Sequence, residues 1–340
     1  MSDREQAAAQ FLAVSGWGDA RIEPLSGDAS FRRYFRIGAA ARSAILMDAP
    51  PGREDVRPFL RVGAALHGFG YSAPQVLAAD PDRGFLLLED LGDDLYSRVL
   101  ARGASEPALY AAAIALLRDL HGRDVPPDTP VFDGARALRE VRLFLEWTLP
   151  VLLGDRVSET AATTFDECWR EVLAPLLSEP PVLTLFDYHA ENLIWLPDRT
   201  GLRRVGLLDY QDAVAGPASY DVVSLLEDAR RDVTPGVVEA SLAQYCAGMS
   251  GAEESRFRVS VAVAGAQRNT RILGVFGRLF RRDGKSGYLK LMPRVWRHLE
   301  GDLESPPLAP LRDWFDRHVA LSLRRTAPTP ETFTPPAGGP

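Results

Sequence analysis

The run Leu183-Thr-Leu-Phe-Asp187-Tyr-His189-Ala-Glu191-Asn192 places an aspartate five residues ahead of an asparagine, directly after an apolar segment. Further along, Leu207-Leu208-Asp209 sets a second aspartate at the end of another apolar segment. An Asp-x4-Asn loop followed by a strand-end Asp has the logic of phosphoryl transfer. That chemistry needs a base at the attacking hydroxyl and hard oxygen ligands for the Mg²⁺ that bridges nucleotide phosphates. Asp187 fits the base, and Asn192 and Asp209 fit the metal ligands. Each residue alone has a plainer use, because Asp and Asn turn and cap the backbone of any loop. It is the ordered set that carries the reading.

The elements around these residues follow from periodicity. Asp3 to Val14 has helical spacing, with Ala7, Phe11 and Val14 on one side and Gly16 as its stop. Phe31 to Ile37 alternates: Phe31, Arg33, Phe35 and Ile37 share one strand face, and Arg32, Tyr34 and Arg36 share the other. Ser43–Met47 and Phe85–Leu88 read as further strands, with a helix over Val56–Leu66 between them. Leu109–Leu120, Ala135–Leu149 and Thr160–Leu177 read as helices. Short strands follow near Val182–Phe186, Leu193–Leu196 and Val205–Leu208, and helices dominate from Tyr220 to Arg324. The expected class is α+β, with a small β-rich N-lobe over 1–90 and a larger helical C-lobe over 91–325. The proline-rich tail 326–340 is expected to be disordered.

Composition narrows the function classes. The chain has 340 residues, 46% hydrophobic and 25% charged, which suits a soluble globular protein of two lobes. Its net charge of −7 speaks against a nucleic-acid binder. Cys168 and Cys246 are far apart and form neither a disulfide framework nor a zinc pattern. The charged start MSDREQ lacks the apolar core of a signal peptide, and no apolar run reaches the ~20 residues of a membrane span. The expectation is a cytoplasmic monomer with no membrane or nucleic-acid partner. Lys285 and Lys290 are its only lysines, so any cation nearer the N-terminus must be an arginine or histidine.

On these residues the chain resembles the aminoglycoside phosphotransferase and choline kinase superfamily, which has a bilobal protein-kinase-like fold. The catalytic loop of that family reads His-Gly-Asp-x-His-x-x-Asn. Here Asp187, His189 and Asn192 match, while Leu185 and Phe186 replace the first His and the Gly. The segment Asp209-Tyr-Gln-Asp212-Ala-Val-Ala-Gly-Pro-Ala-Ser-Tyr-Asp221 is similar to the family's continuation, in which the last acid buttresses the loop. His189 reads as a residue that ties the loop backbone together rather than as a proton carrier. Three patches, Gly27–Arg36, Leu46–Pro51 and Gly265–Lys285, are similar to bacterial N-acetylmuramate/N-acetylglucosamine anomeric kinases.

The resemblance implies ATP and Mg²⁺ as cofactors and a small sugar as substrate. It implies a phosphate-binding hairpin at Gly27, Asp28 and Ser30, and adenine contacts from the backbone of Glu89 and Leu91. The third strand lacks the family's lysine; Met47 or Asp48 stands near its place, and Arg32 or Arg33 is expected to supply the charge, with Arg33 preferred. Forked guanidinium groups suit phosphate and carboxylate oxygens. Arg268, Arg271 and Arg278 fall at helical spacing and are candidates for the lactyl carboxylate of N-acetylmuramate. Glu191 and Asp212 are candidate acceptors of sugar hydroxyls. Two other readings stay open: a kinase of aminoglycosides or other small hydroxyl compounds, and a nucleotide-binding pseudokinase.

Overall fold

The computed structural model describes residues 2–25, 31–39 and 42–333; Gly27, Asp28 and Ser30 lie outside them. The chain divides into two units, the first made of residues 1–116 with 190–213 and the second of 117–189 with 214–340.

The first unit opens with α1 (Asp3–Val14), whose start is fixed by a capping box between Ser2 and Glu5. A five-stranded antiparallel sheet follows, built from β1 (Arg21–Pro24), β2 (Arg33–Ala39), β3 (Arg42–Asp48), β4 (Val76–Asp80) and β5 (Phe85–Glu89) in the order β1-β2-β3-β5-β4. The helix α2 (Arg57–Gly68) links β3 to β4, and α3 (Tyr96–Ala101) and α4 (Glu106–Leu120) come after β5. Register pairs Phe35 with Leu46 and Ile37 with Ala44. With Phe85 and Leu87, these residues form one sheet face, packed on Phe11, Leu12 and Trp17. Val14, expected on the packed side of α1, is 82% exposed, because Leu12 takes its place in the core.

The second unit is mainly helical: α5 (Gly134–Leu143), α6 (Leu149–Leu153), α7 (Glu159–Val172) and α8 (Ala174–Leu177) precede the loop that carries Asp187. The short strand β6 (Val182–Thr184) enters that loop. Then β7 (Leu193–Trp195) and β8 (Val205–Leu207) form a ladder in the first unit, and β9 (Val214–Gly216) pairs back with β6. The chain ends in α9 (Ala218–Leu226), α10 (Pro235–Cys246), α11 (Gly251–Asp283), α12 (Met292–Asp302), α13 (Ala309–His318) and α14 (Leu321–Arg325).

The 33-residue α11 runs through the second unit, capped by Ser250 and Glu253 at its start and by left-handed Gly284 at its end. At Gly274 a Cβ would collide with the backbone of Leu143 and Phe144, so glycine is what lets α11 approach the π-helical turn Phe144–Thr148. That turn interrupts the single helix expected over Ala135–Leu149, and Thr148 Oγ1 donates to the Leu273 carbonyl across the contact at 2.7 Å. Within the proline-rich stretch, Phe333 is buried with its ring 6.0 Å from that of Phe280, while 334–340 lie outside the described residues.

Candidate active site

Each unit organises its own set of functional residues. In the first, the β7–β8 register pairs Leu193 with Leu207, and the Asn192 carbonyl accepts from Leu208 N at 2.9 Å. Asn192 and Asp209 therefore sit at the same end of one ladder. Asp209 has φ +54°, a left-handed conformation that short polar side chains tolerate better than most. Its carboxylate accepts from Arg32 Nη1 at 3.2 Å and from Gln211 Nε2 at 3.0 Å. Next to it Tyr210 stacks on Phe59 of α2, with ring centroids 4.6 Å apart, which pins the loop from below.

An amide oxygen and a carboxylate at one ladder end are hard donors. Mg²⁺ is usually held by one or two protein oxygens together with phosphates and water. The donor set therefore fits that ion. Among the described residues no cluster of three or more His, Cys, Asp or Glu side chains forms a dedicated metal cage.

Arg32 and Arg33 separate at this level. Arg33 lies on the α1 side of the sheet, opposite Asp48, and donates to its carboxylate at 2.5 and 3.1 Å. Arg4 of α1 holds the other oxygen of Asp48. Arg32 instead pairs with Asp209 and lies 3.5 Å from Glu54. Burial alone would lower its pKa, but Tyr34 and these acids hold it above its usual value, so it stays charged. The two arginines, of which Arg33 is the one expected at the phosphates, thus face different partners. The reason is the strand's alternation: the Arg33 face is the one α1 covers. Asp48 shares that covered face, which leaves Met47 and Ile45 opposite Tyr34 and Arg36.

The segment after β5 is held by a residue the motifs did not single out. Arg36 binds Asp90 at 2.8 and 3.1 Å and Asp93 at 2.8 and 3.0 Å. Asp90 also accepts from Gly92 N. The Glu89 side chain is engaged by Arg199 at 2.6 Å and by Gln75 N at 3.2 Å, and the Leu91 side chain packs beside Gly206. Glu191 is partly buried in the same unit. Asp212 is exposed and accepts from Gln211 Nε2 at 3.0 Å.

In the second unit Asp221, in the first turn of α9, accepts from Leu185 N at 2.7 Å and Phe186 N at 2.8 Å. These two bonds fix the backbone just ahead of Asp187. His121 lies 3.4 Å from the same carboxylate and 2.7 Å from the Tyr245 hydroxyl. Phe186 has φ +76°, which explains why a glycine is the commoner choice there in the resembled pattern. The ring compensates for the strain. It stacks on Tyr220 at 4.5 Å with planes 4° apart, and the guanidinium groups of Arg136 and Arg271 lie 4.7 and 4.6 Å from its centroid.

Asp187 sits among cations. Burial alone would raise its pKa, but Arg271, His189, Arg268 and Arg230 outweigh it and hold the carboxyl below its usual range. Burial pushes His189 down to about 4, with Arg230 adding to the effect. At neutral pH it is a neutral imidazole. Arg271 is held above its usual value against burial by Tyr220, Asp187 and Glu140. Arg268 is 4% exposed and donates to the Glu227 carbonyl at 3.0 Å. The structure thus gathers Asp187, Arg268 and Arg271 in one unit, and Glu191, Asn192, Asp209 and Asp212 in the other.

Comparison with known proteins bears on the family and the fold. The profile of the phosphotransferase enzyme family matches residues 21–256. An N-acetylmuramate/N-acetylglucosamine kinase of Caulobacter vibrioides is 38% identical, covering 95% of this chain and 99% of its own. One from Pseudomonas aeruginosa is 36% identical, covering 86% and 87%. Among solved structures, choline kinase LicA from Streptococcus pneumoniae is similar, with a TM-score of 0.64 at 14% identity over 89% of this chain and all of its own. ADP-bound aminoglycoside phosphotransferase APH(2'')-Ib gives 0.55 at 17% identity over 82% and 92%. The chain has their bilobal, protein-kinase-like α+β fold, and it belongs to the phosphotransferase enzyme family.

Proposed function

We propose that this protein transfers the γ-phosphoryl group of ATP to the anomeric hydroxyl of N-acetylmuramate, N-acetylglucosamine or both, as a cytoplasmic step in the recycling of cell-wall sugars. The relatives of Caulobacter and Pseudomonas are named as kinases of these two sugars, and they match over 95% and 86% of the chain. The observation that carries the reading is the cationic setting of Asp187. A carboxylate ringed by Arg271, Arg268 and Arg230 suits a neutral or anionic substrate and repels a polycationic antibiotic or choline.

In this reading Asp187 accepts the proton of the sugar O1–H. The new bond forms between O1 and the γ-phosphorus, the bond from that phosphorus to ADP breaks, and the products are a sugar 1-phosphate and ADP. The anomeric hydroxyl is more acidic than other sugar hydroxyls, so a weakly basic carboxylate is sufficient. Asn192 and Asp209 would hold Mg²⁺, which neutralises charge on the phosphates when bound. Arg32 supplies the cation that the third strand lacks. Arg271 and Arg278, two helical turns apart on α11, suit the lactyl carboxylate of N-acetylmuramate; neither an ion pair nor a hydrogen bond engages Arg278 among the described residues.

The test is regiochemical. Purified protein with ATP is offered N-acetylmuramate, N-acetylglucosamine, the methyl glycoside of N-acetylglucosamine, and an aminoglycoside panel. The expected outcome is an anomeric phosphate by phosphorus NMR and no transfer to the methyl glycoside. A 6-phosphate, or equal transfer to the methyl glycoside, overturns the anomeric assignment. Turnover on aminoglycosides alone overturns the sugar assignment. No turnover on any substrate, with nucleotide still bound, leaves the pseudokinase.

A further inference from the structure

Beside the catalytic loop, the chain leaving α9 carries buried polar atoms that the fold does not satisfy. Asp228 is 1% exposed. Its Oδ1 accepts from Arg230 N at 2.8 Å, and its Oδ2 has no hydrogen-bond partner among the described residues. Arg268 uses Nη1 on the Glu227 carbonyl, while its Nε–H is likewise without a partner. Both side chains bear electrostatically on His189, and Arg268 bears on Asp187 as well. Buried donors and acceptors are nearly always paired, so two unmet ones of opposite sense next to a catalytic loop call for a reason.

The framework behind them is tightly built. Asn269 Nδ2 donates to Glu227 Oε2 at 2.6 Å and to Asp302 Oδ2 at 3.0 Å. Burial pushes the Glu227 carboxyl up to about 7 and raises that of Asp302, so the two acids share protons rather than repel as a pair of anions. A Cβ at Gly265 would collide with the Asp302 carboxylate, so glycine admits that acid to the face of α11. These contacts hold Glu227, and with it the position of Asp228 and Arg268.

We propose that Asp228 and Arg268 form an acetamide-recognising subsite, the carboxylate Oδ2 accepting the substrate's amide N–H and the Arg268 Nε–H donating to its acyl oxygen. The proposal rests on the reading of the chain as an amino-sugar kinase and names the group by which it selects its sugar. A hydroxyl could satisfy one partner but not present a rigid donor and acceptor to both. A free ammonium would meet Asp228 but face Arg230, Arg268 and Arg271. A carboxylate would be repelled by Asp228. A secondary amide alone matches one acceptor and one donor without net charge.

The experiment compares kcat/KM for N-acetylglucosamine, 2-O-acetylglucose and glucose in the wild-type enzyme and in Asp228→Asn. The variant keeps an oxygen for Arg230 N and puts an NH₂ donor where Oδ2 stood, opposed to the substrate N–H. A site built to hydrogen-bond a group discriminates strongly against analogues lacking it, so wild type should prefer N-acetylglucosamine over 2-O-acetylglucose and glucose by about 100-fold or more. Asp228→Asn should lose most of that preference, with glucose turnover and the KM for ATP within about threefold of wild type. Equal loss on all three sugars, or no loss, overturns the subsite. Because the wild-type ester comparison needs no variant, a failure of Asp228→Asn to fold leaves the test standing: equal turnover of amide and ester overturns the inference. If wild type turns over glucose as well as N-acetylglucosamine, the subsite falls while the sugar-kinase reading stands. If wild type turns over no reducing sugar, the parent reading falls and takes the subsite with it.

Discussion

The two units each hold one of the candidate site aspartates, and they treat its charge in opposite ways. Asp209, at the end of the β7–β8 ladder, has a 40% exposed side chain that pairs with Arg32. Asp187, after β6, is surrounded by Arg271, Arg268 and Arg230, and its loop backbone is tied down by Asp221. A carboxylate this exposed is accessible to a metal ion. A carboxylate ringed by fixed cations stays anionic at all physiological pH values and has no need of a metal. The residue type is the same; under the proposed mechanism the surroundings divide the labour between holding phosphate charge and receiving a proton.

The sharpest way to break that division is Asp187→Asn. The amide keeps the shape, stays beside Arg271, and cannot accept the hydroxyl proton. Turnover should fall by the ~10²–10⁴-fold typical of a lost general base, with nucleotide affinity within about twofold. Turnover within tenfold of wild type in the folded variant would remove Asp187 from that role. Asp209→Ala should do the reverse. Mg-nucleotide affinity should drop by at least the ~10–100-fold that even outer-shell partners of a metal cost, while metal-free nucleotide affinity holds. Calorimetric titration with and without Mg²⁺ reads this directly, and equal losses in both would take Asp209 out of the metal site.

How much of this was legible beforehand depends on sequence distance. Asp187, His189 and Asn192 lie in one short loop, so their type and spacing are visible in a single window. The strands and helices that carry them were likewise readable from local periodicity. β4 and β9 were not: the β4 sequence Val-Leu-Ala-Ala-Asp does not alternate apolar with polar residues, and β9 is three residues long. The Arg32–Arg33 choice turns on which strand face α1 covers, a tertiary fact that adjacent arginines cannot reveal. The Asp228–Arg268 pair is equally hidden, because Asp228 lies in the chain leaving α9 and Arg268 in the middle of α11, forty residues on, and only the fold brings them to the same loop. Helical spacing and the family resemblance point Arg268 to a carboxylate; in the fold its guanidinium also bonds a backbone carbonyl.

Phe186 tests whether packing or backbone strain governs the loop that carries Asp187. Phe186→Gly relieves a left-handed residue, worth about 1–2 kcal/mol. It also removes a ring that is 1% exposed and stacked on Tyr220. Large-to-small substitution of a buried Phe costs about 3–5 kcal/mol, so packing wins and the variant should be destabilised by about 2 kcal/mol. Denaturant unfolding measures it; a variant as stable as wild type would mean that strain, not packing, limits this position.

The smallest effect expected comes from Arg33, set against its neighbour. The Arg33 side chain is 50% exposed, and its partner Asp48 keeps Arg4 when Arg33 is removed, so no buried carboxylate is orphaned. With Arg4 still on Asp48, the half-exposed Arg33 end of the network contributes about 0–1 kcal/mol. Arg33→Ala should therefore leave the KM for ATP within about twofold and stability within ~1 kcal/mol of wild type. Arg32→Ala removes a 12% exposed guanidinium from the side of Asp209. A hydrogen bond to a charged group is worth about 1.5–3 kcal/mol, which predicts a rise of roughly 10–100-fold in the KM for ATP. Steady-state kinetics on the two variants, side by side, read the difference. A larger rise for Arg33→Ala than for Arg32→Ala would mean that phosphate is bound on the α1 side of the sheet, and the assignment of faces drawn from Asp48 and Asp209 would be wrong.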